Sequence, residues 1–176
     1  MKSFIALVML ATSMLLVRQP AKSYSIARNG IGAKSIIIAF LQEVYETQDD
    51  ASKIARQYIR FEDSPDSPSE FSPDKRYEIA AAHITLLRKG EGVCSFSPPL
   101  NKKEIASLWI VPYTSLVRTA DNELLDFGLD ASHSQGLYVA LKNDVAWKYF
   151  YVKDDKIYSF DYLLKGEGGP TYLFSY

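Results

Sequence analysis

The stretch LYVALKNDVAWKYFYVKDDKIYSFDYL, residues 137–163, decides the fold class. It holds three runs of strand length, 137–142, 145–152 and 157–163, each rich in Val, Ile, Leu and aromatic residues. Asn143-Asp144 separates the first two, and Lys153-Asp154-Asp155-Lys156 the next two. Polar links of two and four residues join strands only as hairpins, so the segment reads as an antiparallel meander. Val145, Trp147, Tyr149 and Tyr151 are expected on one face of the middle strand, with Ala146, Phe150 and Val152 on the other. Tyr158, Phe160 and Tyr162 are expected to share a face of the next strand. Both faces are apolar. One can be buried under helices, and the other needs a partner subunit over it or must line a cavity.

Upstream the period is helical. Ile36/Ile37, Phe40/Leu41 and Val44/Tyr45 recur every three to four residues, after a loop-like start over 24–32. Asp49-Asp50 offers an N-cap to a second helix whose stripe is Ala51, Ile54/Ala55 and Tyr58/Ile59. Residues 62–73 are polar and carry Pro65, Pro68 and Pro73, as a connector does. Ser72-Pro73 starts a third helix, apolar over most of its girth, which stops at Arg88-Lys89-Gly90. Residues 105–119 favour strand, and Pro112 within them implies an edge strand, a bulge or two strands. Short strands are also expected at 124–127 and 172–176. Helices first and a meander afterwards make an α+β protein, with N-terminal helices packed on a curved antiparallel sheet.

The first 23 residues follow the grammar of a secretory signal peptide: Lys2, an apolar run over 4–17, then Ala21-Lys22-Ser23 before a cut at Tyr24. The run is short for a membrane span, which needs roughly 20 apolar residues. The reading is therefore residues 1–23 as signal peptide, 24–176 as one secreted or periplasmic domain, and no membrane span in the mature chain. Of the chain's 20 basic residues the leader takes Lys2, Arg18 and Lys22, which leaves 17 against 21 acidic ones. With both signs interspersed and no basic stripe, nucleic acid is not an expected partner. Cys94 is the only cysteine, so no internal disulfide forms.

The order of helices and the run Tyr138-Val139-Ala140, Trp147-Lys148-Tyr149-Phe150-Tyr151 and Lys156-Ile157-Tyr158-Ser159-Phe160 resembles the NTF2-like, or cystatin-like, superfamily over about residues 33–164. The resemblance implies a cone in which a curved sheet wraps helices around an apolar pocket, often dimerising through the sheet. Some relatives are isomerases or dehydratases, and many bind ligands.

Chemistry-bearing residues are few. His83 sits at the edge of the third helix's apolar face, between Ala80 and Leu87, as a packed histidine or as a general base facing the interior. His133 lies in a polar loop. Two histidines fifty residues apart and one cysteine give no zinc spacing, Asp154-Asp155 reads as a solvated turn, and no nucleophile elbow, phosphate loop or dinucleotide fingerprint occurs. No catalytic residue, metal or cofactor is assigned. The aromatic sheet remains: Trp109, Trp147, Tyr149, Tyr151 and Tyr138 either are plain core or dimer packing or line a ligand pocket, for which Trp147, Tyr149, Trp109 and His83 are the named residues. The expected role is non-enzymatic binding of a small hydrophobic ligand or a protein partner. The alternatives are a proton-transfer enzyme using His83 and a structural, homodimeric envelope protein.

Overall fold

The computed structural model describes residues 30–61, 70–92, 97–116, 124–129, 134–164 and 171–173. The expected leader, Cys94 and His133 lie outside them. The order is α1 (Gly30–Glu46), α2 (Ala51–Tyr58), α3 (Pro73–Arg88), α4 (Lys102–Ser107), β1 (Trp109–Pro112), a 3-10 turn (Tyr113–Ser115), β2 (Leu137–Lys142), β3 (Val145–Lys153), β4 (Lys156–Ser159), β5 (Tyr162–Leu164) and β6 (Thr171–Leu173). The fold is α+β, with an open antiparallel sheet in the order β1-β2-β3-β4 and the helices in the N-terminal part. No helix among the described residues is long and apolar enough to cross a membrane.

The expected caps form. The Asp50 side chain accepts from the Ser52 N–H, and the Ser72 hydroxyl accepts from the Lys75 N–H with Pro73 in the first turn of α3. Gly90 takes the left-handed conformation, φ 81°, and its N–H donates to the Leu87 carbonyl. Both meander turns close with two residues in positive φ: Asn143 and Asp144 at 52° and 64°, Asp154 and Asp155 at 50° and 53°. Positive φ at both central residues marks type I′, whose twist matches the flanking strands. The second turn is therefore a two-residue turn, with Lys153 facing Lys156 as a strand pair.

Four stretches differ from the sequence reading. Helix α1 begins at Gly30, where a loop is expected; Gly32 serves close approach, since a Cβ there would lie 2.6 Å from Asp155 Oδ1. Ile105 belongs to α4 and not to a strand. Asn101 caps that helix, accepting from the Lys103 and Glu104 N–H groups while the Glu104 carboxylate accepts from the Asn101 N–H. Strand β1 follows and ends at Pro112 on the sheet edge, the position that tolerates a missing N–H. Residues 124–129 carry no strand. The last meander strand stops at Ser159; after Asp161 the chain starts β5, which pairs with β6 in a second, two-stranded sheet.

Two apolar clusters flank the four-stranded sheet. The larger joins Ile37, Phe40, Leu41, Ile54, Ile84 and Leu87 of the helices to Ala140, Phe150, Val152 and Ile157 of the sheet, with Phe160 just beyond β4. Phe40 is its hub, with its ring 5.7 Å from Tyr58, 6.3 Å from Phe150 and 5.2 Å from Phe160. The second cluster lies on the other face: Val111, Leu137, Val139, Leu141 and Tyr149 under Phe127, with Tyr113, Tyr162 and Leu173 around them. The chain itself, through residues 113–116, 124–129 and the paired strands β5 and β6, packs on the face that a partner subunit or a cavity was expected to take.

Candidate functional site

On the outer face four rings, Tyr113, Phe127, Tyr149 and Tyr162, meet with centroids between 4.9 and 6.4 Å apart, mostly edge to face. Two of these tyrosines grip one residue of the covering segment. The Tyr149 hydroxyl accepts from the Leu125 N–H at 3.0 Å, and the Tyr113 hydroxyl donates to the Leu125 carbonyl at 2.8 Å. A segment without strand partners has its backbone groups satisfied by side chains instead. The Asp126 carboxylate accepts from the Gly128 N–H, with Gly128 at φ 57°, and the Asp126 carbonyl accepts from the Thr171 N–H of β6. The segment is thus tied to β3, to the 3-10 turn and to the second sheet.

Between this segment and the 3-10 turn lies a cleft of about 420 Å³, lined by Tyr113, Leu116, Leu124, Phe127 and Leu129 with Thr114, Asp126 and Ser134 as polar groups. The flanking segments 117–123 and 130–133 lie outside the described residues.

A second constellation sits on the helix side. Lys148 of β3 is fully buried, Asp161 follows β4 at 2 % exposure, and His83 of α3 is buried against them. His83 Nδ1 is 3.7 Å from Asp161 Oδ2, and Lys148 Nζ is 3.8 Å from Asp161 Oδ1. The lysine ammonium is within ion-pair range but has no acceptor at direct hydrogen-bond distance among the described residues. Asp161 is held from its own side: its carboxylate accepts from the Tyr162 N–H, and its carbonyl accepts from the Ser159 hydroxyl. Burial pushes the Lys148 amine down from its ordinary value, against the pull of the Asp161 charge. Burial likewise pushes His83 below 6.5; Asp161 opposes the shift and Lys148 adds to it.

The expected pocket residues do not share one cavity. His83 faces Asp161. Trp147 is half-buried against the helix-side cluster, and its indole N–H donates to the Pro98 carbonyl at 3.3 Å. Tyr149 is buried in the outer cluster, and Trp109 packs at that cluster's edge. Trp147 and Tyr149, expected on one face, pack against opposite clusters. The cause is a bulge: Ala140 pairs with Lys148 but Leu141 pairs with Ala146, leaving Trp147 extra and shifting the alternation. Tyr138 packs in the helix-side core. Asp154 and Asp155 form the turn they were read as, and the described residues hold no His, Cys, Asp and Glu group that could bind a metal.

Sequence reasoning missed Lys148, Asp161 and the clamp on Leu125. A lysine centred in VAWKYFYV was a visible signal, since alternation puts it inside or on an edge. Asp161, inside a strand-like run, was another. Comparison of the chain with protein-family models, curated proteins and solved structures finds no match.

Proposed function

We propose that this chain is an extracytoplasmic α+β binding domain, NTF2-like in plan, that takes a small, largely apolar ligand on the outer face of its sheet. The observation that carries the reading is the cleft of about 420 Å³ beside Phe127, with apolar walls and three polar side chains, Thr114, Asp126 and Ser134. Small-molecule sites occupy roughly 300–1,000 Å³ and join apolar walls to a few orienting polar groups. Asp126 favours a ligand with a hydrogen-bond donor or a cationic end. Binding of anilinonaphthalene sulfonate to the folded protein, read by fluorescence, tests the apolar wall. A Leu129→Lys variant is expected to lose the signal while its urea midpoint holds. Equal fluorescence in both proteins would remove the cleft from the proposal.

A second reading, proton transfer with His83 as base, is favoured by one observation: the imidazole is turned inward, 3.7 Å from Asp161. A carboxylate at that distance favours the imidazolium that proton abstraction forms, and a neutral imidazole near pH 7 is a competent base. Solvent deuterium incorporation into a panel of enolisable ketones, followed by NMR, tests it. Incorporation that disappears in His83→Gln supports the reading, and none in the native protein sinks it.

A further inference from the structure

The buried cluster joins three elements at one point. His83 comes from the middle of α3, Lys148 from the centre of β3, and Asp161 from the point where the chain leaves β4 for β5. With a neutral imidazole the cluster holds one cation and one anion and is balanced. Protonating His83 leaves two cations facing one carboxylate in a water-poor site. Unbalanced charge at such depth is costly, so the extra proton is paired, expelled or allowed water by separation of the elements.

We propose that Lys148, Asp161 and His83 form an acid-sensitive latch between α3 and the β3–β5 region, closed while His83 is neutral and loosened when it takes a proton.

Among the described residues, the charged groups near His83 can be named element by element. From the sheet side Lys148 and Asp161 face it. On α3 itself Arg76 lies two turns away, with its guanidinium over the Phe61 ring at 4.4 Å. Arg88 points to the carbonyls of Val44 and Asp49. From α1, Tyr45 donates its hydroxyl to the Leu87 carbonyl. From α2, Arg56 pairs with Asp74 at the exposed start of α3. These last groups are engaged elsewhere, and among the described residues Asp161 and Lys148 are the charges that act on His83.

The sign follows from linkage. A histidine whose folded value lies below 6.5 binds fewer protons folded than unfolded, so stability falls as pH drops through 6.5 towards the folded value. Glu104 is held below 4.5 by its bond from the Asn101 N–H and by Lys142; the stability it gives fades only on further acidification. The histidine window stands clear of it.

The test uses the full folded chain and reads two quantities, the ring-proton NMR titration of His83 and the urea midpoint between about pH 7.5 and about pH 5. The protein has two histidines, so a His133→Gln background assigns the signal. In the native protein His83 titrates below its ordinary range, and the urea midpoint falls with acid. His83→Gln keeps the fold and flattens that fall. Lys148→Met removes the second cation: His83 then titrates higher than in the native protein, and the fall of the midpoint with acid shrinks. If His83→Gln does not fold, the titrations of the native protein and Lys148→Met decide alone. A native titration at or above the ordinary histidine value overturns the latch. An unmoved titration in Lys148→Met, or an acid loss that persists in His83→Gln, does the same.

Discussion

Replacing Tyr149 by Phe removes one oxygen and leaves the ring cluster in place, so it isolates the grip on residue 125. The Tyr149 ring is buried, and its hydroxyl is an acceptor for the Leu125 N–H at 3.0 Å. Phenylalanine keeps the ring contacts with Phe127 at 4.9 Å and Tyr162 at 5.8 Å, so little apolar burial changes. What changes is the N–H. A typical hydrogen bond contributes about 1 kcal/mol net, and a buried group left unpaired costs about 1–3 kcal/mol. Leu125 is half-buried, so water reaches part of the site and the lower end applies. The expected loss is about 1.5 kcal/mol, roughly a tenfold fall in the folding constant. Tyr113→Phe frees the Leu125 carbonyl, a weaker demand because a carbonyl has two lone pairs, and is expected to cost about 0.7 kcal/mol. Both bonds hold one residue, so the double variant is expected to couple by about 0.5 kcal/mol or more. Urea unfolding measures all three, and hydrogen exchange at the Leu125 amide reports the local opening. A Tyr149→Phe protein within about 0.3 kcal/mol of the parent, with its Leu125 amide still protected, would refute the clamp.

The remaining predictions concern the core, the turns and the glycines. Phe40→Ala empties the hub where three rings converge and is expected to cost about 3–5 kcal/mol in urea unfolding, against about 1 kcal/mol for Phe40→Leu. Asp144→Gly relieves a side chain held at φ 64° and completes an Asn-Gly type I′ turn, so it should stabilise by up to about 1 kcal/mol by thermal melting. Two Gly→Ala changes should part company. At Gly32 the obstacle is the mobile end of the Asp155 side chain and alanine favours the helix, so the change is neutral or gains up to about 0.5 kcal/mol. At Gly136 a Cβ would lie 2.5 Å from the Tyr151 ring and 3.0 Å from the Val152 carbonyl oxygen, so the loss is about 1–3 kcal/mol.

The fold class was readable because local chemistry and tertiary structure agree at the hairpins and caps. Asn143-Asp144 and Asp154-Asp155 are residues that tolerate positive φ, and Asp50, Ser72 and Gly90 occupy the positions where helix ends leave backbone groups unpaired. Misreading began where one residue changed the period. The bulge at Trp147 is invisible to a rule of alternation, yet it sends Trp147 and Tyr149 to opposite cores and dissolves the pocket the two were expected to share. Helix α4 was legible in principle, since Asn101 and Glu104 stand at capping-box spacing, but Trp109 to Pro112 imposed their strand preference on the residues before them. The Leu125 clamp had no local signal: it joins tyrosines 12 and 24 residues away to a backbone that lacks strand partners.

The same departure from alternation accounts for the charged cluster. Had β4 run on to residue 163, Asp161 would have faced Tyr149's side of the sheet or an exposed edge, and Lys148 would have been a buried ammonium with no counterion. The chain instead leaves the first sheet at Ser159, keeps Phe160 in the helix-side core at the Phe40 ring, and begins β5 with Tyr162 among the outer aromatics. Asp161 sits at the crossing between two apolar layers. There its backbone is free of ladder duty, its carbonyl is claimed by the Ser159 hydroxyl, and its carboxylate is turned between the Tyr162 N–H, Lys148 and His83. A polar group at a crossover can be buried at modest cost because local donors are already present, whereas mid-strand it would need both neighbours to supply them. The crossover therefore makes a buried lysine tolerable, and burial, with the lysine's charge adding to it, holds His83 below its ordinary value.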